Sequence, residues 1–87
     1  MALELKQDIF SILVADDEES MRGLFERLFK GEGFSLDTVE DGAKAIEKVK
    51  IKDYDIAFID IVMPGINGYR AFCEMKKISP NLKAVMI

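Results

Sequence analysis

The sequence contains no histidine. That absence excludes histidine acid–base catalysis, imidazole-built zinc sites and any role as a phosphohistidine donor. A single cysteine, Cys73, excludes an intramolecular disulfide and suits a reducing interior. No segment approaches the roughly 18–20 apolar residues of a membrane span. The opening MALELKQDIF carries Glu4, Lys6 and Asp8 and has no apolar core, so it does not read as a secretory signal. A cytoplasmic location is the expectation. Basic residues are also in deficit, with 12 Lys and Arg against 16 Asp and Glu and a net charge of −4. Direct nucleic-acid binding is disfavoured, because phosphate contacts need clustered cations. A cation site or a basic protein surface suits this charge better.

The chain has 87 residues, of which 49% are hydrophobic. That is one small domain, in which folding buries roughly 60–65% of the unfolded chain's surface and stability is modest. FSILVA, residues 10–15, is a continuous apolar run that predicts a strand buried on both faces. DDEES follows. Met21, Leu24, Phe25, Leu28 and Phe29 then fall on one helical stripe and are read as core, with Gly31 and Gly33 as stop signals. FSLDTV, residues 34–39, alternates and predicts a strand nearer an edge. Asp41 is the candidate N-cap of a second helix whose inner face is Ala45, Ile46 and Val49. IAFIDIV, residues 56–62, is the third strand. Tyr69, Phe72, Cys73 and Lys76 set a third helix reaching about Ile78, Pro80-Asn81 ends it, and KAVMI begins a fourth strand. Strict β-α-β-α-β-α-β alternation with continuous apolar strands predicts an α/β, doubly wound parallel sheet covered by helices on both faces.

Two of these strands end in acids, the first at Asp16-Asp17 and the third at Asp60. Taken singly, such residues mark turns, or cap and charge-compensate a helix start. If the two strands are neighbours, the three carboxylates meet at one rim, where they repel unless a cation lies among them. Mg2+, a hard ion favouring roughly 2.0–2.1 Å oxygen contacts, fits such a set. A carboxylate beside it can act as a nucleophile toward a phosphoryl group. The turn Met63-Pro64-Gly65-Ile66-Asn67-Gly68 would carry the backbone away and leave Asp60 uncovered.

The segments ILVADDE (residues 12–18), EDGAKAI (40–46), YDIAFIDIVMPGINGY (54–69) and LKAVMI (82–87) together resemble the receiver domain of two-component response regulators. The resemblance covers residues 9–87 and leaves 1–8 as an N-terminal extension. It implies a flavodoxin-like fold with strand order 2-1-3-4. It also implies that Asp60 accepts a phosphoryl group from a sensor histidine kinase, a phosphotransfer protein or a small donor such as acetyl phosphate. Asp17, Asp60 and the Val62 backbone carbonyl would hold Mg2+ directly, with Asp16 acting mainly through water. Met63, Pro64, Gly65 and Gly68 would shape the turn. The apolar Val62 cannot orient a hydrolytic water, so slow self-dephosphorylation is expected.

The family's pattern continues beyond Ile87 with a Thr or Ser, two helices and a fifth strand bearing a Lys, so the sequence matches a receiver truncated after its fourth strand. An apolar open edge at residues 84–87 and a partly bare sheet face would then favour self-association. The competing reading is a phosphorylation-independent interaction module or inert receiver fragment. An aspartyl phosphohydrolase is weaker still, because the second Asp such enzymes place two residues after the nucleophile is Val62 here. Arg22 and Glu26 are the polar candidates for kinase docking. Cys73 reads as a small core or semi-buried residue, and Tyr69 as packing at the start of its helix. Lys44, Lys48, Lys50, Lys52, Lys76, Lys77 and Lys83 read as solvated surface.

Overall fold

The computed structural model describes residues 9–87, so the expected N-terminal extension lies outside the described residues. Its elements are β1 (Phe10–Ala15), α1 (Glu19–Leu28), β2 (Phe34–Val39), α2 (Gly42–Ile51), β3 (Ile56–Ile59), α3 (Gly68–Ile78) and β4 (Lys83–Met86). All pairings are parallel and the strand order is β2-β1-β3-β4. The chain steps one way from β1 to β2, then the other way to β3 and β4. Right-handed crossovers therefore place α1 on one face and α2 with α3 on the other.

β1 is central because its side chains satisfy both faces. Ile12, Leu13, Val14 and Ala15 are all fully buried. Leu13 and Ala15 join Val39, Ala45, Val49, Ala57, Ile59, Ala71, Met75 and Leu82 beneath α2 and α3. Ile12 and Val14 join Phe25 beneath α1, with Met21, Phe29, Leu36, Ile56 and Phe58 packed against them. This second core is largely aromatic. Phe25 stacks on Phe29 and meets Phe58 with ring centroids 5.0 Å apart, while Phe29 meets Phe34 edge-on at 5.2 Å. β2 is indeed an edge strand, as its alternation implied.

Several expectations are corrected. Only the Met21–Phe25–Phe29 ridge of α1 faces the sheet, whereas Leu24 and Leu28 are exposed. They lie at one margin of the stripe. On the α1 side of the sheet the covering thins toward β3 and β4, where Ile56 and Phe58 are half-buried and Val85 and Ile87 are exposed. Tyr69 is 64% exposed, because the inner face of α3 is formed by Gly68, Ala71 and Met75. Two lysines are structural rather than solvated. Lys52 donates to Asp37 at 2.9 Å and Ser35 at 3.1 Å and lies over the Tyr54 ring. Lys76 donates to the Pro80 and Leu82 carbonyls and closes the α3–β4 turn. Cys73 is half-buried, as expected. Among the described residues, no helix is long and apolar enough to cross a membrane.

Candidate phosphoacceptor and metal site

The strand order reverses between β1 and β3, and in open parallel sheets ligands bind outside the carboxyl ends of the strands at such a point. The acids stand there. β1 and β3 pair with Ala15 opposite Ile59, so Asp16 and Asp60 are the next residues on two adjacent strands. Carboxylate oxygens of Asp16, Asp17 and Asp60 lie within 4.8 Å of one another. Asp16 is buried, Asp60 half-buried and Asp17 exposed.

Local hydrogen bonds aim each group. The predicted third strand stops three residues early, at Ile59. The Asp60 amide still donates to the Ala15 carbonyl at 2.9 Å, but its Oδ1 accepts the Val62 amide at 3.1 Å, and this side-chain turn bends the chain out of the sheet. Asp16 Oδ1 accepts the Glu18 amide at 2.9 Å in the same manner. The N-cap residue of α1 is Glu18, with no side-chain capping bond, so neither Asp16 nor Asp17 serves as its cap. The Arg22 guanidinium donates to the Asp16 carbonyl at 2.8 Å.

The turn residues hold the frame. Met63 is buried in the α2–α3 core, anchoring the loop, while the Val62 side chain is 80% exposed. Gly65 adopts φ 77°, a left-handed conformation that glycine reaches without strain. Pro64 and Gly65 line a cavity of about 600 Å³ with Asp17, Arg22, Glu40 and Asp41. Gly68 opens α3 so close to the end of β3 that an added Cβ would stand 2.1 Å from the Asp60 carbonyl oxygen. Asn67 caps α3 by accepting the Arg70 amide at 2.9 Å. Asp41 caps α2 by accepting the Lys44 amide at 2.8 Å, as the sequence indicated.

Electrostatically the cluster is short of positive charge. Partial burial pushes the Asp60 carboxyl above its ordinary value, and the charges of Asp16 and Asp17 push it further, against the opposing Val62 amide. Among the described residues, no Lys or Arg pairs with any of the three carboxylates. An all-oxygen, triply anionic set without a partner cation fits a hard divalent ion. The three carboxylates singled out in the sequence are thus gathered at one rim. The Asn67 cap was not singled out in the sequence, although an Asn directly before a helical run is its signal. The reach of Arg22 back to Asp16 was not legible, because no periodicity encodes it.

A parallel 2-1-3-4 sheet with an acid cluster at its switch point defines an α/β domain of the flavodoxin-like class. The sequence profile of the response regulator receiver domain matches residues 12–87, and the chain belongs to that family. It is 38% identical over 66 residues to the transcriptional regulatory protein TcrA of Mycobacterium tuberculosis, covering 76% of this chain and 26% of TcrA. It is 35% identical over 75 residues to the chemotaxis protein CheY of Halobacterium salinarum, covering 86% of this chain and 62% of that one. The chain thus spans from about a quarter to under two thirds of these two relatives. Among solved structures it resembles the response regulator TrrA of Thermotoga maritima in complex with Mg2+-BeF, with a TM-score of 0.82 and 36% identity, covering 90% of this chain and 68% of that one. TrrA has also been solved in complex with the histidine kinase ThkA; that match has a TM-score of 0.81 and 36% identity over 90% of this chain and 67% of the other.

Proposed function

We propose that this chain is the phosphoacceptor domain of a cytoplasmic two-component response regulator, with Asp60 as the residue that accepts the phosphoryl group. The observation that carries the reading is the convergence of Asp16, Asp17 and Asp60 at the β1/β3 switch point with no pairing cation among the described residues. In the transfer, an Asp60 carboxylate oxygen forms a bond to phosphorus while the bond from phosphorus to the donor breaks. The donor is a phosphohistidine nitrogen of a sensor histidine kinase or phosphotransfer protein, or the acyl oxygen of acetyl phosphate. Asp16, Asp17, Asp60 and the Val62 carbonyl would hold Mg2+, with Asp16 acting mainly through water. Mg2+ bound there would offset negative charge on the transferring group. The Val62 amide holds Asp60 Oδ1 in the rim, which leaves Oδ2 as the oxygen free to attack. The resemblance to TrrA, solved both with Mg2+-BeF and with a histidine kinase, supports both the ion and the partner class.

The exposed Val62 side chain offers no hydrogen bond to a water, which supports slow self-dephosphorylation. A second feature favours self-association of the 87-residue chain. Ile87 both donates to Ile59 and accepts from Ile61, so by alternation the backbone groups of Ala84 and Met86 point to the open edge of β4. Val85 and Ile87 are exposed beside that edge.

The test is intact-protein mass spectrometry after incubation with acetyl phosphate and Mg2+, with Asp60→Asn in parallel. The expected result is a one-phosphate adduct on wild type and none on the variant. A wild-type chain that is folded yet takes no adduct favours the interaction-module reading instead.

A further inference from the structure

We propose that Arg22 is a positioning residue for cation binding: by holding the Asp16 carbonyl it fixes the Asp16–Asp17 corner, so that both carboxylates are aimed before an ion arrives. This rests on reading the acid cluster as a Mg2+ site.

Asp16 is 3% exposed, and three of its polar groups are engaged. Its amide donates to the Val39 carbonyl at 3.1 Å, its Oδ1 accepts the Glu18 amide at 2.9 Å, and its carbonyl accepts Arg22 Nη1 at 2.8 Å. The last bond is the unusual one. β1 has already ended at Ala15 and α1 begins only at Glu19, so the Asp16 carbonyl falls between sheet and helix. A side chain from the second turn of α1 reaches back to fill that gap.

The guanidinium makes this bond in surroundings that offer it charged partners. Its cavity of about 600 Å³ is lined by Asp17, Glu40 and Asp41. Glu40 is taken by Lys44 at 3.0 Å, and Asp41 by the Lys44 amide at 2.8 Å. Asp17 forms no ion pair with Arg22, which bonds the neutral carbonyl instead. The arrangement keeps the Asp17 carboxylate available while a rigid, planar donor braces the backbone that carries it.

The idea has a sign that separates it from electrostatics. As a fixed positive charge beside a cation site, Arg22 opposes the ion, so charge alone predicts tighter binding when it is removed. Bracing predicts weaker binding, because loss of groups that orient metal ligands lowers affinity by about 10–100-fold.

The experiment is calorimetric Mg2+ titration of the 87-residue wild type, Arg22→Met and Arg22→Lys, with thermal melts of each. Arg22→Met keeps an apolar stem and loses both donors and charge. The expected result is Mg2+ affinity about 10-fold weaker for Arg22→Met, with Arg22→Lys between it and wild type. An Arg22→Met affinity equal to or tighter than wild type overturns the inference, even if its melting temperature falls. Should that variant not fold, the metal-free wild type carries the test through Arg22 side-chain NMR. Guanidinium protons held in slow rotation support the bracing, and freely averaging ones overturn it. A folded wild type that binds no Mg2+ overturns the acid-site reading and this inference together. Binding by wild type with no loss in Arg22→Met overturns the inference alone.

Discussion

Replacing Gly68 by alanine is the most direct probe of how the site is framed. A Cβ there would stand 2.1 Å from the Asp60 carbonyl oxygen, 2.8 Å from its carbonyl carbon and 2.8 Å from the Ile61 Cα. All three are backbone atoms, so no rotamer change relieves the clash. Ordinary contact begins at 3.4 Å, and the start of α3 must therefore withdraw from the end of β3 by about 1.3 Å. That movement breaks the bond from the Gly68 amide to the Ile61 carbonyl, now 2.9 Å. Overpacking of this kind destabilises by about 1–3 kcal/mol, and the lost hydrogen bond adds roughly 1 kcal/mol. At about 4–8 °C per kcal/mol for a domain of this size, the melting temperature falls by roughly 8–32 °C. Two of the three atoms it meets belong to Asp60, so whatever part of the strain β3 takes up shifts that residue and lowers Mg2+ affinity. Gly23→Ala is the control. It lies inside α1, where the nearest atom to a new Cβ is Arg27 Nη1 at 3.7 Å, so higher helix propensity stabilises by about 0.5–1 kcal/mol. Circular-dichroism melts and calorimetric Mg2+ titration read both effects. A Gly68→Ala protein that melts within about 3 °C of wild type, on the conversion above, and binds Mg2+ equally would refute the close-approach argument.

Asp37 gives a pH signature away from the site. Burial pushes its carboxyl up, but bonds from the Tyr54 hydroxyl and Lys52, with the charges of Lys52 and Lys48, outweigh it and leave the group below 3.8. A depressed carboxylate contributes stability that is present above its unfolded value and lost as pH falls through the folded one. Asp37→Asn should thus cost about 1–2 kcal/mol at pH 7, with the gap to wild type closing below pH 3.8 in acid-unfolding curves. Burial and the Asp37 carboxylate also raise the Tyr54 phenol well above its ordinary value, so tyrosinate absorbance of Tyr54 should be missing from the folded protein at pH 10. Val62→Gln, at an 80% exposed side chain, should leave the melting temperature unchanged and speed loss of the Asp60 phosphoryl group about 10-fold, below the roughly 100-fold floor of general-base catalysis because a neutral amide orients a water without deprotonating it. An equal lifetime would remove Val62 from the account. Val85→Lys, beside the open β4 edge, should shift sedimentation of the 87-residue chain toward monomer, and a wild type that already sediments as a monomer contradicts the self-association reading.

Much of this was legible in the chain. β1 announced itself because a continuous apolar run too short for a helix suits a strand buried on both faces, and the placement of Asp16-Asp17 and Asp60 at strand ends followed from that. The Asp41 cap was legible because its bond is local, three residues long. What was not legible depends on neighbours distant in sequence. Leu24 and Leu28 carry the helical spacing of core residues, yet both are left exposed at one margin of a stripe whose Met21, Phe25 and Phe29 side packs on the sheet. Lys52 looked like one more solvated cation, and only the fold brings it to Asp37, fifteen residues earlier. The early end of β3 was hidden because its sequence stays apolar through Val62, while the side-chain turn at Asp60 decides where pairing stops.

The two faces of the sheet are held unequally. Among the described residues, a core of twelve buried residues lies beneath α2 and α3, whereas beneath α1 only Ile12, Val14 and Phe25 are buried, with a partly open ring of phenylalanines around them. Native-state amide exchange should therefore resolve two cooperative units, with α1 opening at lower free energy than the rest. Arg22 rides on α1, so each such opening releases the Asp16 carbonyl while Asp60 stays anchored to β1 by its amide. The acid rim then has one rigid half and one breathing half, and ion binding, by selecting the closed form, should slow exchange in α1 more than in α3.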